Sequence, residues 1–567
     1  MTTSRQEALA RLTASNQPYE LAEMHVNDVP CRVFVHAPNS LRELIADNTS
    51  DETFVVYEEE RYTFTEVYQL ASRLAACLQQ DYGVSKGDRI AISMRNYPEW
   101  VVGFTAATSI GAIAVAMNAW WEADELATGL ADCGAKVMLA DAERLARLEQ
   151  IKDDISAAVI AVRCDDPPTF ARTFNDAVAA FPGNQPMPEA NVAPDDPATI
   201  FYTSGSTGFP KGAMASHRNI LSALMSWELD QQCGLMLAGT EPAELSHQPV
   251  SLLAVPLFHA TGSHAVYLAS YRSQRKMVCM YKWDAEVAAE LIEAESISSF
   301  VAPAAMTGDL VQAAKRTERD LSSLLTVGGG GAPRAPEQVK DIDDSFASAM
   351  PNTGWGMTET NAIGTGIGGA DYLERPASSG RSSAVVDLKI IDDQGRELPA
   401  NERGELLIRG VSVIPGYWNR PEANAETFTD GWLHTGDVAY LDDEGYLFIV
   451  DRIKDLIIRG GENIGCGEVE AALVEHELVL EASVYAIPDT RLGEEVGATV
   501  YAKPGLEETQ LRAFLAQHLA KFKIPAYLHI TQEQLPRIAS GKIYKRQLRE
   551  DAIAALAATL TIDPRHG

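Results

Sequence analysis

The period of the hydrophobic positions changes along the chain, and each change predicts a different kind of structure. Arg89–Met94 (RIAISM) and Lys136–Ala140 (KVMLA) are short apolar runs of the sort buried on both faces of a parallel sheet. Between them and the N-terminus, Glu66–Gln79 spaces Val67, Leu70, Leu74 and Leu78 as one face of a helix. This alternation continues from about residue 50 to 330 and predicts an α/β body, a sheet covered by helices. From about 380 to 450 the runs shorten and turn signals multiply. DLKIIDDQGREL and LDDEGYLFIVD read as hairpins, with glycine where the turn needs a positive φ. After about 452 a smaller α/β segment follows, then a basic region. Val101–Met117 is uncharged, but its 17 residues are rich in Gly, Thr, Ser and Ala. A spanning helix needs about 20 predominantly apolar residues, so a buried helix running into a strand is expected instead.

Composition narrows the function classes. Hydrophobic residues make up 46% of the 567 and charged residues 22%, which excludes a mostly disordered or fibrous chain. Forty-seven Lys and Arg against 79 Asp and Glu give a net charge of −32, which argues against nucleic acid as a partner. Seven cysteines, an odd number without CxxC spacing, give neither a disulfide framework nor a zinc site. The N-terminal MTTSRQEALARL lacks the basic-then-apolar order of a secretion signal. A cytoplasmic, multidomain enzyme without a transmembrane segment is the expectation, and a homo-oligomer is left open. The acidity is uneven: residues from Arg452 onward carry 14 basic and 16 acidic side chains, the rest 33 and 63. Within Ala516–Arg549 seven basic residues face one acid, Glu533, which suggests a basic face closing over an acidic body.

The strongest chemical signal is Tyr202–Gly212, YTSGSTGFPKG, after a predicted strand at Thr199–Tyr202. Thr203, Ser204, Ser206 and Thr207 supply hydroxyls. Gly205 and Gly208 free backbone N–H groups, and Lys211 adds a positive charge, a combination suited to phosphate oxygens. Pro210 and Gly212 around the lysine exclude a Walker loop. Gly364–Gly369, GTGIGG, formally satisfies the dinucleotide pattern, but it lacks a preceding strand and a following amphipathic helix and is set aside.

The Tyr202–Gly212 loop resembles the phosphate-binding signature of the adenylate-forming superfamily: acyl-CoA synthetases, luciferases and peptide-synthetase adenylation domains. Four further blocks resemble that family's in the same order: GWGMTET at Gly354–Thr360, GWLHTGD at Gly431–Asp437, DRIKD at Asp451–Asp455 and LPRIASGK at Leu535–Lys542. The resemblance implies a large N-terminal adenylation body over 1–450, a hinge at 451–455 containing Lys454, and a small mobile α/β lid over 456–567. It implies ATP, Mg²⁺ and CoA as ligands. Glu359 and Thr207 would hold Mg²⁺, and Thr358 would contact the phosphates. Asp437 would accept from the ribose hydroxyls, Arg452 would contact ribose or phosphate, and Lys542 would reach the carboxylate and α-phosphate. Gly331, Ala332 and Pro333 of the GGGGAP segment, with Trp355, Gly356 and Met357, would line the adenine side. His259, Ala304, Gly354 and Gly356 would border the acyl pocket, while His264 is read as structural. Gly460, Gly461 and Glu462 would swing to the thioester site.

Only 25 residues follow Lys542, too few for a carrier domain, so an external acceptor is expected, CoA first. Amino-acid-activating relatives place an Asp near the His259 position, and the His here argues against an amino acid. Acetate-activating relatives carry a Trp at the Gly356 position, so Gly356 is expected to leave an open tunnel and Gly356→Trp to shift activity toward short acids. The expected substrate is therefore a medium-to-long or bulky hydrophobic acid. Loading of a separate carrier protein, and a non-catalytic adenylate-binding relative, are the alternatives; light emission has no support. Gly465-Cys466-Gly467 departs from the commoner family wording, and Cys466, with no adjacent histidine, is read as an inert thiol.

Overall fold

The computed structural model describes residues 4–203, 210–240, 247–331, 334–460, 462–537 and 542–562. The apolar run at Arg89–Ser93 becomes the centre of an eight-stranded sheet. It pairs in parallel with Ile113–Ala116 on one side and Val137–Asp141 on the other. Helix Phe64–Gln80 buries Val67, Leu74 and Leu78 in the adjoining core. Residues 101–117 form the end of a buried helix, Pro98–Ser109, and the strand Ile113–Ala116, as their composition predicts. No helix among the described residues is long and apolar enough to cross a membrane.

A second, larger sheet runs from the parallel strands Val250–Leu253, Ser299–Ala302, Thr326–Gly329 and Met350–Thr353 into the antiparallel β-rich region. GTGIGG supplies one of its strands, Thr365–Gly368, paired antiparallel on both sides, a context that no dinucleotide loop shares. In the first expected hairpin the turn closes at Asp392–Gly395, but the long partner of Val386–Ile391 is Gly404–Gly410. The second forms as expected, Trp432–Leu441 against Tyr446–Arg452, with Gly445 at φ 79°.

Residues beyond the last of these strands build a separate five-stranded sheet with its own core around Ile457, Val484, Val496, Leu511 and Leu515. The molecule is thus α/β throughout, a large N-terminal body and a small C-terminal unit. Between them a cleft and the channel leading from it form one cavity of about 4180 Å³.

Candidate active site

The cleft is built where strand ends from the body meet the C-terminal unit. The Tyr202–Gly212 signature is framed by Pro197–Thr203 and Lys211–Ser216, which pair antiparallel with Thr203 opposite Lys211. Thr203 Oγ1 donates to the Lys211 carbonyl at 3.3 Å. Ser204, Gly205, Ser206, Thr207 and Gly208 lie outside the described residues. Strand Gly416–Tyr417 extends the same sheet and places the Tyr417 ring 5.0 Å from Lys211 Nζ. Its hydroxyl donates to Glu359 Oε1 at 2.7 Å. Burial, then the Glu359 charge, push the Tyr417 phenol far up, so it stays protonated and acts as the donor.

Glu359 sits in a single 3₁₀ turn, Thr358–Thr360, and is only 7% exposed. One carboxylate oxygen is held by Tyr417, and the other has no partner among the described residues. No group of three or more His, Cys, Asp or Glu that could hold a metal exists among the described residues. A lone carboxylate suits Mg²⁺, which keeps waters and takes its remaining ligands from substrate phosphates rather than from an all-protein cage.

Opposite lies a more elaborate anchor. Asp437 and Arg452 face each other across two paired strands. Arg452 Nε meets Asp437 Oδ1 at 2.6 Å, and Trp355 Nε1 donates to Asp437 Oδ2 at 2.8 Å. A second Arg452 nitrogen donates to the Thr435 carbonyl at 3.1 Å. Burial raises the Asp437 carboxyl above its usual range, opposed by Arg452, the Trp355 N–H and Lys542. Each carboxylate oxygen keeps a lone pair for another donor, such as a sugar hydroxyl.

Lys542 enters from the C-terminal unit, and its Cε lies 3.9 Å from where a side chain on Gly331 would begin. Loss of hydration, then the Arg452 charge, lower its ammonium below the usual lysine range, while Asp437 and Glu359 pull the other way. Lys542 is nonetheless exposed to the open cleft, where a ligand can reach it. Four of the other six basic residues of its segment are paired. Lys523, Arg537, Lys545 and Arg546 pair with Glu468, Glu481, Glu470 and Glu550 of the same unit. These four are thus paired inside the C-terminal unit, and Lys542 brings its charge to the cleft beside them.

His259 lines the cavity, and its Nε2 is buried without a hydrogen-bond partner among the described residues. Burial, then the Lys542 charge, push its pKa down to about 4, which leaves a neutral ring near pH 7. His264 is 1% exposed, bonded to Ser263 at 3.0 Å and packed on Phe201, a structural setting. Ala304, Gly354, Gly356, Met357 and Thr358 also line the cavity.

Two glycine readings need correction. A Cβ on Gly356 would stand 2.6 Å from the Ala362 backbone, and one on Gly354 would stand 2.5 Å from the Thr365 carbonyl. These positions are glycine because two backbones touch there, not because they leave a tunnel open. Gly356→Trp is therefore a backbone perturbation rather than a clean probe of chain length.

Ala332, Pro333 and Gly461 lie outside the described residues. Gly460 (φ 59°) and Glu462 belong to a hairpin of the C-terminal sheet and are absent from the cavity lining, whereas Lys454 contributes to it. Cys466 is fully buried, its S–H donating to the Asp455 carbonyl at 3.1 Å. Burial raises its thiol strongly, in keeping with an inert role. Tyr417 was not singled out by sequence; only the pairing of its strand with Lys211–Ser216 brings it to Glu359.

Residues 43–418 match the AMP-binding enzyme family, and residues 468–542 match the AMP-binding enzyme C-terminal domain. A feruloyl-CoA synthase from Amycolatopsis sp is 33% identical over 490 residues, 86% of this chain and 93% of the relative. The long-chain-fatty-acid–CoA ligase FadD13 of Mycobacterium tuberculosis is 31% identical over 88% of this chain and 94% of its own length. Among solved structures, the o-succinylbenzoate CoA synthetase of Bacillus subtilis with its acyl-adenylate intermediate is 28% identical. It superposes with a TM-score of 0.76 over 90% of this chain and 98% of the other.

Proposed function

The chain belongs to the AMP-binding enzyme family, and from that premise we propose that it joins a medium-to-long or bulky carboxylic acid to CoA through an acyl-adenylate. The observation that carries this reading is the convergence of Lys542, Asp437, Arg452 and Glu359 on one cleft, with Lys542 supplied by the C-terminal unit. In the first step a carboxylate oxygen attacks the α-phosphorus of ATP, the bond to the β-phosphate oxygen breaks, and pyrophosphate leaves. In the second the CoA thiolate attacks the acyl carbon, the bond to the AMP oxygen breaks, and AMP leaves.

The central difficulty is bringing anions together, and preorganised positive groups lower it. Lys542 lies between the carboxylate and the α-phosphate, and Lys211 with the hydroxyls of the phosphate loop holds the remaining phosphates. Asp437, oriented by Trp355 and Arg452, fixes the ribose. Glu359, steadied by Tyr417, holds Mg²⁺, whose chemistry when bound is to neutralise phosphate charge. Neutral His259 shapes the passage between acid and thiol and moves no proton. Turning about Lys454 withdraws Lys542 and brings the segment with Gly460 and Glu462 to the thioester site.

Relatives named for an aromatic acid and for long-chain fatty acids support a substrate larger than acetate. The continuation of the cavity past His259 supports it too. A cytoplasmic location fits these ligands. CoA-dependent AMP release across acids from acetate to hexadecanoate, with ferulate included, tests the reading. Activity is expected on the larger acids, and a preference for acetate overturns it. Transfer only to a carrier protein, with none to free CoA, would favour the carrier-loading alternative.

A further inference from the structure

Beyond the reacting centre the cavity runs along one face of the larger sheet, and that face has an unexpected composition. Strands in a parallel sheet covered on both sides are normally apolar throughout. The face turned from the cavity obeys this: Phe300, Ala302 and Val327 are fully buried. The other face does not. Its first row, in register across four strands, reads Ser251, Ser299, Thr326 and Met350. Its second row reads Val301, Gly328 and Asn352, with Asn352 Oδ1 lying where a Gly328 side chain would begin.

The row nearest the reacting centre contains Gly330 and Gly354, next to His259 and Lys542. From Gly330 to Thr326 is four residues of strand, roughly 13 Å. The middle of this path is apolar, walled by Val301, Leu224, Trp227, Ala265 and Ala269. Its far end is polar again. Ser251, Ser270, Thr326 and Arg275 line it, and Arg275 is anchored by its backbone N–H on the Ser270 carbonyl at 2.9 Å.

Three of these four groups lack side-chain partners among the described residues, while Thr326 Oγ1 donates to Ser299 Oγ at 3.0 Å. Ser251 and Ser270 are 7% and 1% exposed, yet neither side chain has a hydrogen-bond partner among the described residues, and neither does the Asn352 amide. Arg275 has no ion pair among the described residues. The carboxylate that acts on it, Glu228, is already engaged by Arg272 at 2.5 Å. Buried hydroxyls are almost always paired, and the half-buried Arg275 guanidinium has beside it only a carboxylate that Arg272 already holds. Apolar walls with a few convergent polar groups are the form of a site that recognises one end of a ligand.

We propose that the far end of the acyl channel is a subsite for a second anionic group on the acid, held by Arg275 with Ser251 and Ser270. The substrate class is then a dicarboxylic acid with an apolar middle. The path of roughly 13 Å corresponds to about ten C–C bonds of ~1.5 Å in zigzag. Arg275 presents a planar fork of donors matched to a carboxylate, which a saturated alkyl terminus cannot use. This inference rests on the acid–CoA ligase reading above and deepens it.

The test compares dodecanedioate with dodecanoate as the acid in CoA-dependent AMP release by the full-length protein. Wild type is expected to favour the diacid by about tenfold or more in kcat/KM. Arg275→Met is expected to remove that advantage through KM for the diacid while leaving dodecanoate turnover unchanged, which also shows that the variant folds. Arg275→Lys is expected to retain part of the preference. Equal or reversed preference in wild type, or an equal loss on both acids in Arg275→Met, overturns the subsite and leaves the ligase reading standing. Absence of AMP release with every acid, acetate to hexadecanoate included, overturns both.

Discussion

The two ends of the cavity hold their charges in opposite ways. At the nucleotide end Asp437 is already occupied by Arg452 at 2.6 Å and by Trp355 at 2.8 Å, so its carboxylate is fixed before any ligand arrives. At the far end of the acyl channel Arg275 lines the cavity without an ion pair among the described residues, beside two serines whose hydroxyls are equally uncommitted. A paired charge supports the fold and presents its remaining lone pairs in a set direction. An unpaired one stores its interaction for the ligand. Substitution at the first end should therefore damage both stability and ATP use, and substitution at the second should alter only the choice of acid.

The largest effect is expected at Lys542, which stands between the two ends. Lys542→Ala should lower acid-dependent ATP–pyrophosphate exchange by about 10²–10³-fold, the scale for removing one preorganised group, while ATP still binds. Full exchange activity in that variant would remove Lys542 from the reaction. Because its ammonium is lowered below the usual lysine range, wild-type adenylation should fall on the basic side sooner than an ordinary lysine would allow. Lys542→Arg should carry that limb upward, since guanidinium stays protonated; an unmoved limb would assign it to another group.

Asp437→Asn comes next. It should raise KM for ATP by about tenfold and, by leaving Arg452 without its countercharge, destabilise the protein by about 1–2 kcal/mol. Arg452 is half exposed, so the cost stays below that of a fully buried pair. A change in KM with no change in the denaturation midpoint would show that the pair is not structural and would blunt the contrast with Arg275. Smaller again is Gly356→Ala. The added methyl meets the Ala362 backbone, and a loss of about 1–3 kcal/mol in unfolding free energy is expected with little change in acid selectivity. A shift in chain-length preference at unchanged stability would restore Gly356 as a tunnel residue.

Much of the nucleotide end was legible in the chain because its residues sit in short contiguous blocks. Thr358 and Glu359 are neighbours in GWGMTET, Asp437 closes GWLHTGD, and Arg452 is the second residue of DRIKD. The fold's alternating periods were legible for the same reason, since Arg89–Ser93, Phe64–Gln80 and Pro98–Ser109 each carry their own pattern. What could not be read depends on pairings distant in sequence. Ser251, Ser299 and Thr326 become one row only when three strands align. Tyr417 meets Glu359 only because its two-residue strand joins the sheet of the Tyr202–Gly212 signature. Gly356 looked like empty space because its backbone partner, Ala362, cannot be seen in a string of letters. The basic excess around Lys542 is likewise partly offset by Glu468, Glu470 and Glu481, which lie far from it in sequence.

In the proposed reaction the acid is activated at the α-phosphorus and then passed to CoA. Carboxyl-¹⁸O-labelled dodecanoate or dodecanedioate, turned over with ATP and CoA, tests this most directly by mass analysis of the products. Adenylate formation predicts that AMP carries one oxygen from the acid and that pyrophosphate carries none. Label in phosphate or pyrophosphate, or unlabelled AMP formed alongside the thioester, would contradict it.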